Sequence, residues 1–460
     1  MDLQKIDQLV STQRSLNITE KPFDYKERLN HLNKLEAVLK KYEKDIIKAL
    51  FDDLRKCAFE AQIAEFVFVM NELKSTKKHL KKWMRNRSVK TPLIHFPAKS
   101  FIKTEPLGSV LIISPWNYPF QLLISPLIGA LAAGNRVILK PSELSGKTSK
   151  IVSTLISEAF DESVVACVEG AIPETTRLLD NRFDHIFYTG NAVVARIIME
   201  KAAKNLTPVT LELGGKSPCF VFGHQKLDLT AKRIASGKFF NAGQTCIAPD
   251  YILVEEQRYE ELVEKLEKYI RDFFGKDIQK SSNYGRIINE RHFNRLMEVF
   301  TREDVLIGGE SDKSDLYISP TIIKAKGDHS SMKSEIFGPI LPIIKVKNLK
   351  EAIDFVLSGE KPLASYIFSD DKKVVSNILD RVSSGGVTIN DTLMHIANEN
   401  LPFGGVGESG MGSYHGQKSY DLFSHQKSVF SASTSFDPPF KYPPFLGKLK
   451  IVKWLLKLFG

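Results

Sequence analysis

The stretch Gly108-Ser109-Val110-Leu111-Ile112-Ile113-Ser114 is a short apolar run, rich in β-branched side chains, that ends at Pro115. A run of this length without polar alternation is typical of a strand buried on both faces. Comparable runs recur farther along the chain, at residues 136–140, 164–169 and 185–188. Segments with helical spacing lie between them, at residues 147–160 and around 175–179. Strands that alternate with helices predict an open, mostly parallel, doubly wound α/β sheet, whose ligands bind at the carboxyl ends of the strands.

The flanking segments extend this fold prediction in both directions. Residues 25–85 place apolar side chains three and four positions apart, which predicts helices. Residues 120–133 are apolar, but they are too few to span a bilayer and include Gln121 and Pro126, so we interpret them as a core helix. A second alternating region begins near Lys216 and continues past Gly386, which predicts a second α/β domain.

The composition is that of an ordinary globular protein with a basic surface. The 460 residues carry 64 Lys and Arg against 54 Asp and Glu, a formal net charge of +10. The densest basic cluster, residues 77–90, is interleaved with Leu80, Trp83 and Met84 at helical spacing. We therefore interpret it as the solvated face of an amphipathic helix. Neither a zinc-finger spacing nor an aromatic–basic RNA motif accompanies it, so we expect no nucleic-acid partner.

The cysteines indicate a reducing compartment. Cys57, Cys167, Cys219 and Cys246 are far apart and form no CxxC pair, and the polar start of the chain does not resemble a secretory signal. We therefore expect a cytoplasmic protein without a disulfide framework. Cys57 in its helical stretch and Cys219 in an apolar run are interpreted as structural.

Three segments carry candidate chemistry. Cys246 follows Gly243 in a predicted turn, where a thiol is exposed to substrate. Glu212 lies between leucines, and partial burial raises a carboxyl pKa towards that of a useful base. Asn117, at the end of a strand and flanked by Pro115 and Pro119, offers an amide donor for a developing oxyanion.

These segments and three more resemble the aldehyde dehydrogenase family in sequence and in order, over roughly residues 20–435. The residues around Thr207-Pro208-Val209-Thr210 and Met411-Gly412-Ser413-Tyr414-His415-Gly416 resemble its class 3, or fatty-aldehyde, branch. The matching motifs are Ile113-Ser114-Pro115-Trp116-Asn117-Tyr118-Pro119, Lys140-Pro141-Ser142-Glu143, Glu212-Leu213-Gly214-Gly215-Lys216, Gly243-Gln244-Thr245-Cys246, Glu335-Ile336-Phe337-Gly338-Pro339 and Phe403-Gly404-Gly405-Val406-Gly407-Glu408-Ser409-Gly410.

The resemblance implies a covalent oxidation of aldehydes to carboxylic acids. Cys246 is then the nucleophile, and Asn117 with the Cys246 backbone N–H holds the oxyanion. Loss of hydride leaves a thioester, which is the usual logic of covalent catalysis. Glu212 is the expected base for its hydrolysis, with Glu335 as the competing candidate. Tyr118 lines the substrate tunnel or, alternatively, is a packing tyrosine.

The resemblance also assigns residues to a nicotinamide cofactor. Lys140 and Glu143 match the positions that bind the adenosine ribose, and Glu335 and Phe337 match those that hold the nicotinamide ribose and ring. A carboxylate at Glu143 suits a free 2′-hydroxyl, so we expect NAD, with NADP tolerated. Ser114, Trp116 and Gly190 are also assigned to the cofactor. Gly190 lies in the turn that opens a helix near the pyrophosphate, and Ala195 in that helix departs from the glycine of many relatives. The histidines lack metal-ligand spacing, so no metal is assigned.

The same resemblance implies a homodimer built from an aldehyde dehydrogenase fold with a small β oligomerisation arm. The expected division of the chain is a cofactor-binding domain at 1–84 and 106–211, a catalytic domain at 212–400, an arm at 85–105 and 415–437, and a basic amphipathic tail at 438–460. Lys450, Lys453 and Lys457 share one face of this tail on a helical wheel. We interpret the tail as packed or disordered, with contact at a membrane surface as the alternative.

Two other classes of function are compatible with parts of the sequence. Cys246 and Glu212 could hydrolyse activated esters without a redox step, which leaves Glu143, Glu335 and Phe337 without a purpose. A non-catalytic protein of this fold is the other alternative, and an intact catalytic set argues against it. The sequence therefore favours a dehydrogenase of apolar aliphatic or aromatic aldehydes.

Overall fold

The computed structural model describes residues 2–223, 226–437 and 439–459. The chain begins with helices and two strands that run to residue 106. Asp2 caps the first helix, and Asp24 forms a capping box with Glu27 at the second. The elements are α1 Leu3–Thr19, α2 Tyr25–Lys41, α3 Glu43–Leu54, α4 Ala58–Ala61, α5 Val67–Trp83, β1 Arg87–Val89 and β2 Lys99–Pro106.

The sequence suggested that Cys57 lies within a helical stretch, but the structure shows that the helix is interrupted there. The helical region breaks after α3, where Arg55 adopts a left-handed conformation, and Cys57 is the N-cap of the short α4. A π-helix, Gln62–Phe66, then joins α4 to α5. Such π-turns are rare and occur frequently at functional sites, because one extra residue per turn changes the direction in which the side chains point.

The predicted doubly wound sheet follows. Its order is β17-β7-β6-β3-β4-β5, with five parallel strands and the antiparallel β17 (Gly410–Met411) at one edge. Val110 and Ile112 of β3 face one apolar core, whereas Leu111 and Ile113 face the other, so helices cover both sides. The elements are β3 Ser109–Ile113, α6 Gln121–Ala133, β4 Arg136–Lys140, α7 Gly146–Ala159, β5 Val165–Cys167, α8 Ile172–Asp180, β6 His185–Thr189, α9 Ala192–Ala203 and β7 Val209–Glu212.

A second sheet confirms the other α/β unit. Its order is β10-β13-β14-β9-β8-β15-β16, parallel except for β10. The elements are β8 Pro218–Val221, α10 Leu227–Phe239, β9 Tyr251–Glu255, α11 Tyr259–Phe274, α12 Glu290–Met297, β10 Val305–Ile307, the small hairpin β11 Ser311–Asp312 and β12 Tyr317–Ile318, β13 Thr321–Ala325, β14 Ile340–Val346, α13 Leu349–Leu357, β15 Ala364–Phe368, α14 Lys372–Arg381 and β16 Gly386–Ile389.

The last part of the chain returns to the first half. β17 Gly410–Met411 pairs with β7, α15 Gln417–Leu422 packs on α6, and β18 Ser424–Ser431 pairs with β2 in the three-stranded antiparallel sheet β1-β2-β18. The tail forms α16 Lys448–Phe459; Pro438 and Gly460, which belong to the predicted tail, lie outside the described residues. Within the described ranges, no helix has both the length and the apolar character needed to span a bilayer.

Candidate active site

Cys246 lies in a turn that the backbone forms in an unusual way. After α10 ends at Phe239, three consecutive residues adopt left-handed conformations, with φ of +52° at Asn241, +51° at Ala242 and +72° at Gly243. A left-handed residue with a side chain costs about 1–2 kcal/mol, so the surroundings must hold this turn in place. Cys246 follows in a second turn, half-buried.

The side chain of Gln244 holds the turn from within. Its amide nitrogen donates to the carbonyls of Asn241 (3.1 Å) and Arg286 (2.9 Å), and its amide oxygen accepts the Ile288 N–H (3.0 Å). Because every polar atom of this buried amide has a partner, the turn is a rigid support for Cys246.

Gly243 also allows two segments of backbone to pack closely. A Cβ at this position would lie 2.2 Å from the carbonyl oxygen of Gly338, which is closer than any side chain tolerates. The turn before Cys246 therefore packs directly against the segment that follows Glu335 and Phe337, two of the predicted cofactor residues. Glycine is required here both for its positive φ and for this close approach.

Asn117 and Tyr118 reach the same turn from the end of β3. The Asn117 side-chain amide donates to the Gln244 carbonyl (3.0 Å), and the Asn117 carbonyl accepts from the Asn241 amide (3.0 Å). The Tyr118 hydroxyl is 2.7 Å from the Thr245 hydroxyl, one residue before Cys246. One N–H of the Asn117 amide remains for a ligand, since a side-chain amide has two.

Glu212, at the carboxyl end of β7, is 2% exposed. Neither of its carboxylate oxygens has a hydrogen-bond partner in the described part of the chain. The hydroxyls of Ser114 and Thr189, at the ends of the neighbouring strands β3 and β6, also lack partners there. Because buried polar atoms are almost always hydrogen-bonded, this edge of the sheet is suited to bind a polar ligand or water.

Glu335 approaches from the second sheet. A Cβ on Gly214 would lie 2.1 Å from its carboxylate, so the absence of a side chain at Gly214 makes room for Glu335. The loop that carries Glu335 is held by charged residues from three separate segments of the chain. Lys216 donates to the carbonyls of Ser331 and Ser334, and Asp250 accepts the N–H of Ile336 (3.0 Å). Arg295 of α12 donates to the carbonyls of Glu335 and Ile336.

The electrostatics of this site favour the protonated forms of its acidic groups. Burial raises the pKa of the Cys246 thiol to about 12, and the nearby carboxyl groups of Glu335 and Glu212 act in the same direction. Burial also raises the pKa of Glu335 to about 8, with Asp250 as the next cause, and raises that of Glu212 well above its usual value. A neutral thiol is a weak nucleophile, so Cys246 must transfer its proton before it reacts.

A cavity of about 880 Å³ opens onto Cys246 and Glu212. Tyr118 and Thr245 line it beside the thiol, whereas most of the remaining wall is apolar. The apolar lining includes Ile63, Phe68, Leu122, Ile247, Ile396 and Phe403. The predicted tunnel residue Tyr118 is thus at the cavity wall, and it is also packed, with 8% of its surface exposed.

The remaining predicted cofactor residues lie around the first sheet. Lys140 ends β4 and is 2% exposed, with its ammonium 3.9 Å from the half-exposed carboxylate of Glu143. Gly190 precedes α9, and its N–H donates to the Glu212 carbonyl (2.9 Å). Trp116 packs edge-to-face on Phe337, whose φ is +50°. The structure brings Gly190 to Glu212 and Trp116 to Phe337, while Lys140 and Glu143 form a separate group.

Several residues at the site were missed in the sequence. Cys57 and Glu60 line the cavity, and burial raises the pKa of Glu60 to about 7. Lys56 and Glu65 are buried beneath the segment that carries Asn117. The sequence offers one indication of such buried charges. Glu65 in the π-helix and Glu72 in α5 lie next to apolar residues that face the core, where a charged side chain is unusual. In the described part of the chain, no group of three His, Cys, Asp or Glu residues is arranged to hold a metal.

Comparisons with known proteins agree over almost the whole chain. The profile of the aldehyde dehydrogenase family matches residues 4–429. The chain is 46% identical to 4,4'-diaponeurosporen-aldehyde dehydrogenase of Staphylococcus aureus (strain NCTC 8325 / PS 47), covering 95% of this chain and 96% of that protein. It is also 46% identical to the dimeric NADP-preferring aldehyde dehydrogenase of Canis lupus familiaris, covering 97% and 99%. The solved substrate-bound state of Staphylococcus aureus AldH superposes with a TM-score of 0.96 at 45% identity, covering 98% and 99%.

Proposed function

Because this chain belongs to the aldehyde dehydrogenase family, and so oxidises aldehydes to carboxylic acids with NAD or NADP, we propose that Cys246 performs the reaction as a covalent nucleophile. The observation that carries the proposal is the shared cavity: Cys246 and Glu212 meet in one pocket whose remaining wall is mostly apolar. A thiol, a carboxyl group and an apolar binding surface are what a cysteine-dependent oxidation of an apolar aldehyde requires.

The reaction begins when the Cys246 thiol gives its proton to an ionised carboxylate, Glu212 or Glu335. The thiolate adds to the aldehyde carbon, and the carbonyl oxygen becomes an oxyanion. Asn117 donates its free amide N–H to this oxyanion, together with the backbone N–H of Cys246. Such donors are effective because they are fixed before charge develops. The collapse of this adduct expels hydride from the former aldehyde carbon and leaves a thioester on Cys246.

The nicotinamide cofactor, when bound, accepts that hydride. The unpartnered Ser114 and Thr189 hydroxyls fit a ligand rich in hydroxyl and phosphate groups. We propose that Ser114, Trp116, Glu335 and Phe337 hold its nicotinamide half and that Lys140 and Glu143 hold its adenosine ribose. Gly190 is proposed to let the pyrophosphate approach α9, because the N-terminus of a helix attracts anions.

The carboxyl group that accepted the thiol proton releases it to solvent, and a water molecule then hydrolyses the thioester. We propose Glu212 as the base, since its oxygens are unpartnered and it lines the cavity with Cys246. Glu335 is the second candidate, because it is one of the two carboxyl groups that act on the Cys246 pKa. Attack of water on the thioester carbon releases the carboxylic acid and returns the sulfur of Cys246 for another cycle.

We propose apolar aliphatic or aromatic aldehydes as substrates. The exposed surface of the cavity is mostly apolar, although the charged residues Glu60, Lys232, Arg233 and Asp391 also line it. An apolar aldehyde therefore buries the largest favourable surface there. Ester hydrolysis through the same thioester step is expected as a side activity, because activated esters acylate Cys246 without any hydride transfer.

A direct test measures reduced cofactor formed from a series of aldehydes of increasing chain length. The wild type is compared with Cys246→Ser and with the matched control Cys57→Ser, since Cys57 lines the same cavity. We expect turnover to rise with apolar length and to vanish in Cys246→Ser, while Cys57→Ser retains it. Turnover that survives in Cys246→Ser would refute the covalent mechanism. Ester hydrolysis without any cofactor reduction would favour the hydrolase alternative.

The assembly and location are also proposals. We propose a homodimer formed through the β1-β2-β18 sheet, in keeping with the proposed division of the chain into domains at residues 84, 106 and 212.

We propose a cytoplasmic protein that contacts membrane surfaces through its tail. In α16, Leu449 and Trp454 are 64% and 61% exposed, and the lysines at 450, 453 and 457 are exposed as well. Exposed apolar and basic side chains on one short helix favour an interfacial location. The predicted apolar face at Ile451, Leu455 and Phe459 lies among side chains that the structure does not describe.

A further inference from the structure

An ion pair is buried directly beneath the segment that carries Asn117. The Lys56 ammonium and the Glu65 carboxylate are in contact, and both side chains are 0% exposed. A buried ion pair is a poor source of stability, because its desolvation cost rivals its attraction, and apolar side chains of similar size often serve as well. The chain therefore has another reason to keep these two charges inside.

The two groups hold opposite ends of the same segment. Besides Glu65, the Lys56 ammonium contacts the Asn117 carbonyl at 3.1 Å and the face of the Tyr118 ring at 4.1 Å. Glu65 accepts the backbone N–H groups of Phe120 (3.0 Å) and Gln121 (3.1 Å) with its second oxygen.

The contacts of Glu65 provide a cap that α6 lacks. The first turn of a helix has free N–H groups, and Phe120 at the N-cap position makes no side-chain hydrogen bond. The Glu65 carboxylate, from a different helical segment, accepts these N–H groups. Its negative charge also suits the positive end of the helix dipole. The π-helix Gln62–Phe66 contains Glu65, and its neighbours Ile63 and Ala64 line the cavity. The same turn thus supports Asn117 and forms part of the substrate wall.

We propose that Lys56 and Glu65 are positioning residues that hold Asn117 where it stabilises the oxyanion at Cys246. This inference rests on the role of Asn117 in the proposed covalent mechanism. With the Asn117 carbonyl fixed by Lys56 and Asn241, its peptide plane cannot rotate, and its side-chain amide keeps one direction. Neither charged group needs to touch substrate.

The main variant replaces both charges, Lys56→Met with Glu65→Gln, so that no unpaired charge stays buried. We expect kcat to fall about 10²-fold, the effect of losing one oxyanion donor. The aldehyde KM and the affinity for NAD should change less than about three-fold, because the oxyanion exists only after substrate binds. The matched control is Arg136→Met, which also removes a buried cation. Arg136 lies at the first residue of β4, whereas the proposed site lies at the carboxyl ends of the strands. It should lower the melting temperature but leave kcat unchanged.

A double-mutant cycle with Asn117→Ala separates positioning from general structural support. If the pair acts through Asn117, adding Lys56→Met and Glu65→Gln to Asn117→Ala should lower kcat by less than about three-fold more. Losses that multiply would overturn the inference while leaving the covalent mechanism intact. An Asn117→Ala enzyme with normal kcat would instead refute the proposed oxyanion role itself.

A second variant covers the case in which the double replacement does not fold. Lys56→Arg keeps the charge, but a planar guanidinium cannot direct its donors as an ammonium does. We expect a folded protein whose kcat is about ten-fold lower, with the loss again absent in the Asn117→Ala background. A Lys56→Arg enzyme with wild-type kcat would overturn the inference.

Discussion

At the residue scale, the chemistry of Cys246 depends on where its proton goes. Burial and two carboxyl groups keep the thiol neutral, with a pKa of about 12, in the protein alone. The residues around Cys246 therefore do not by themselves supply the thiolate that the reaction needs. Ionisation must therefore be coupled to the arrival of a ligand or to an ionised Glu212 or Glu335.

The hydrolysis of the thioester should accelerate as the pH rises. A buried carboxyl group acts as a base only after it loses the proton that burial retains, and the pKa values of both Glu212 and Glu335 are raised. We expect Glu212→Gln to abolish hydrolysis of the acyl-enzyme, followed in single-turnover experiments across the pH range, whereas Glu335→Gln keeps the pH dependence. A rise centred near pH 8 that disappears in Glu335→Gln would assign the base to Glu335 instead.

Gly243→Ala should damage both stability and activity. Its Cβ would meet the Gly338 carbonyl, and its φ of +72° is unfavourable for alanine. We expect the free energy of unfolding, measured in urea, to fall by about 3 kcal/mol. Gly223→Ala is the control, since Gly223 has a φ of +57° but open surroundings, with the nearest atom 3.9 Å from the place that a Cβ would take. That change should cost about 1 kcal/mol. Equal losses would show that the close approach is unimportant.

At the scale of elements, the loop from Ser331 to Phe337 is held by charges on other elements. Arg295→Met should release the carbonyls of Glu335 and Ile336 and raise the KM for NAD about ten-fold, because a mobile loop binds the cofactor less well. Ester hydrolysis needs no cofactor and should be nearly unchanged. Arg291→Met, an exposed position on the same helix, is the control. A parallel loss of both activities would contradict this role.

The buried strands were the most predictable elements. The bounds of β3, β4 and β6 lie within one residue of the predicted apolar runs. A strand covered on both faces is apolar along its whole length, so the ends of the apolar run mark the ends of the strand. The interruption at residues 55–57 and the π-helix were not predicted, because apolar spacing continues across both. The left-handed turn at residues 241–243 was also missed. Ala242 has no intrinsic preference for that conformation, and contacts from distant segments impose it.

At the scale of the whole molecule, the tail is separable from the chemistry. None of the described residues after 431 lines the cavity at Cys246, so deletion of residues 438–460 should leave kcat unchanged. The same deletion should abolish sedimentation with vesicles that contain anionic lipid, which attracts the tail lysines. Lys450→Glu, Lys453→Glu and Lys457→Glu together provide a full-length control. Unchanged sedimentation of the truncated chain would contradict membrane contact through the tail.

The overall architecture was predictable from short motifs, whereas the support of the site was not. Cys246, Glu212 and Asn117 are each marked by their neighbours in sequence. Lys56 and Glu65 act on Asn117 across a long stretch of chain, and a single sequence gives no indication of which distant segments will meet. Charges on a core-facing side of a helix were the one available signal.

The separation of these partners also sets an order in time. Lys56 and the Asn117 carbonyl are 61 positions apart, Asn117 and Gln244 are 127 apart, and Glu60 and Asn241 are 181 apart. Because a protein is synthesised from its amino terminus, the first helices leave the ribosome long before the cysteine turn exists. The buried Lys56–Glu65 pair can form early, and the oxyanion support is completed only after more than half of the chain has emerged. A nascent chain arrested before that point would expose the apolar wall of the cavity, which makes it a natural target for chaperones.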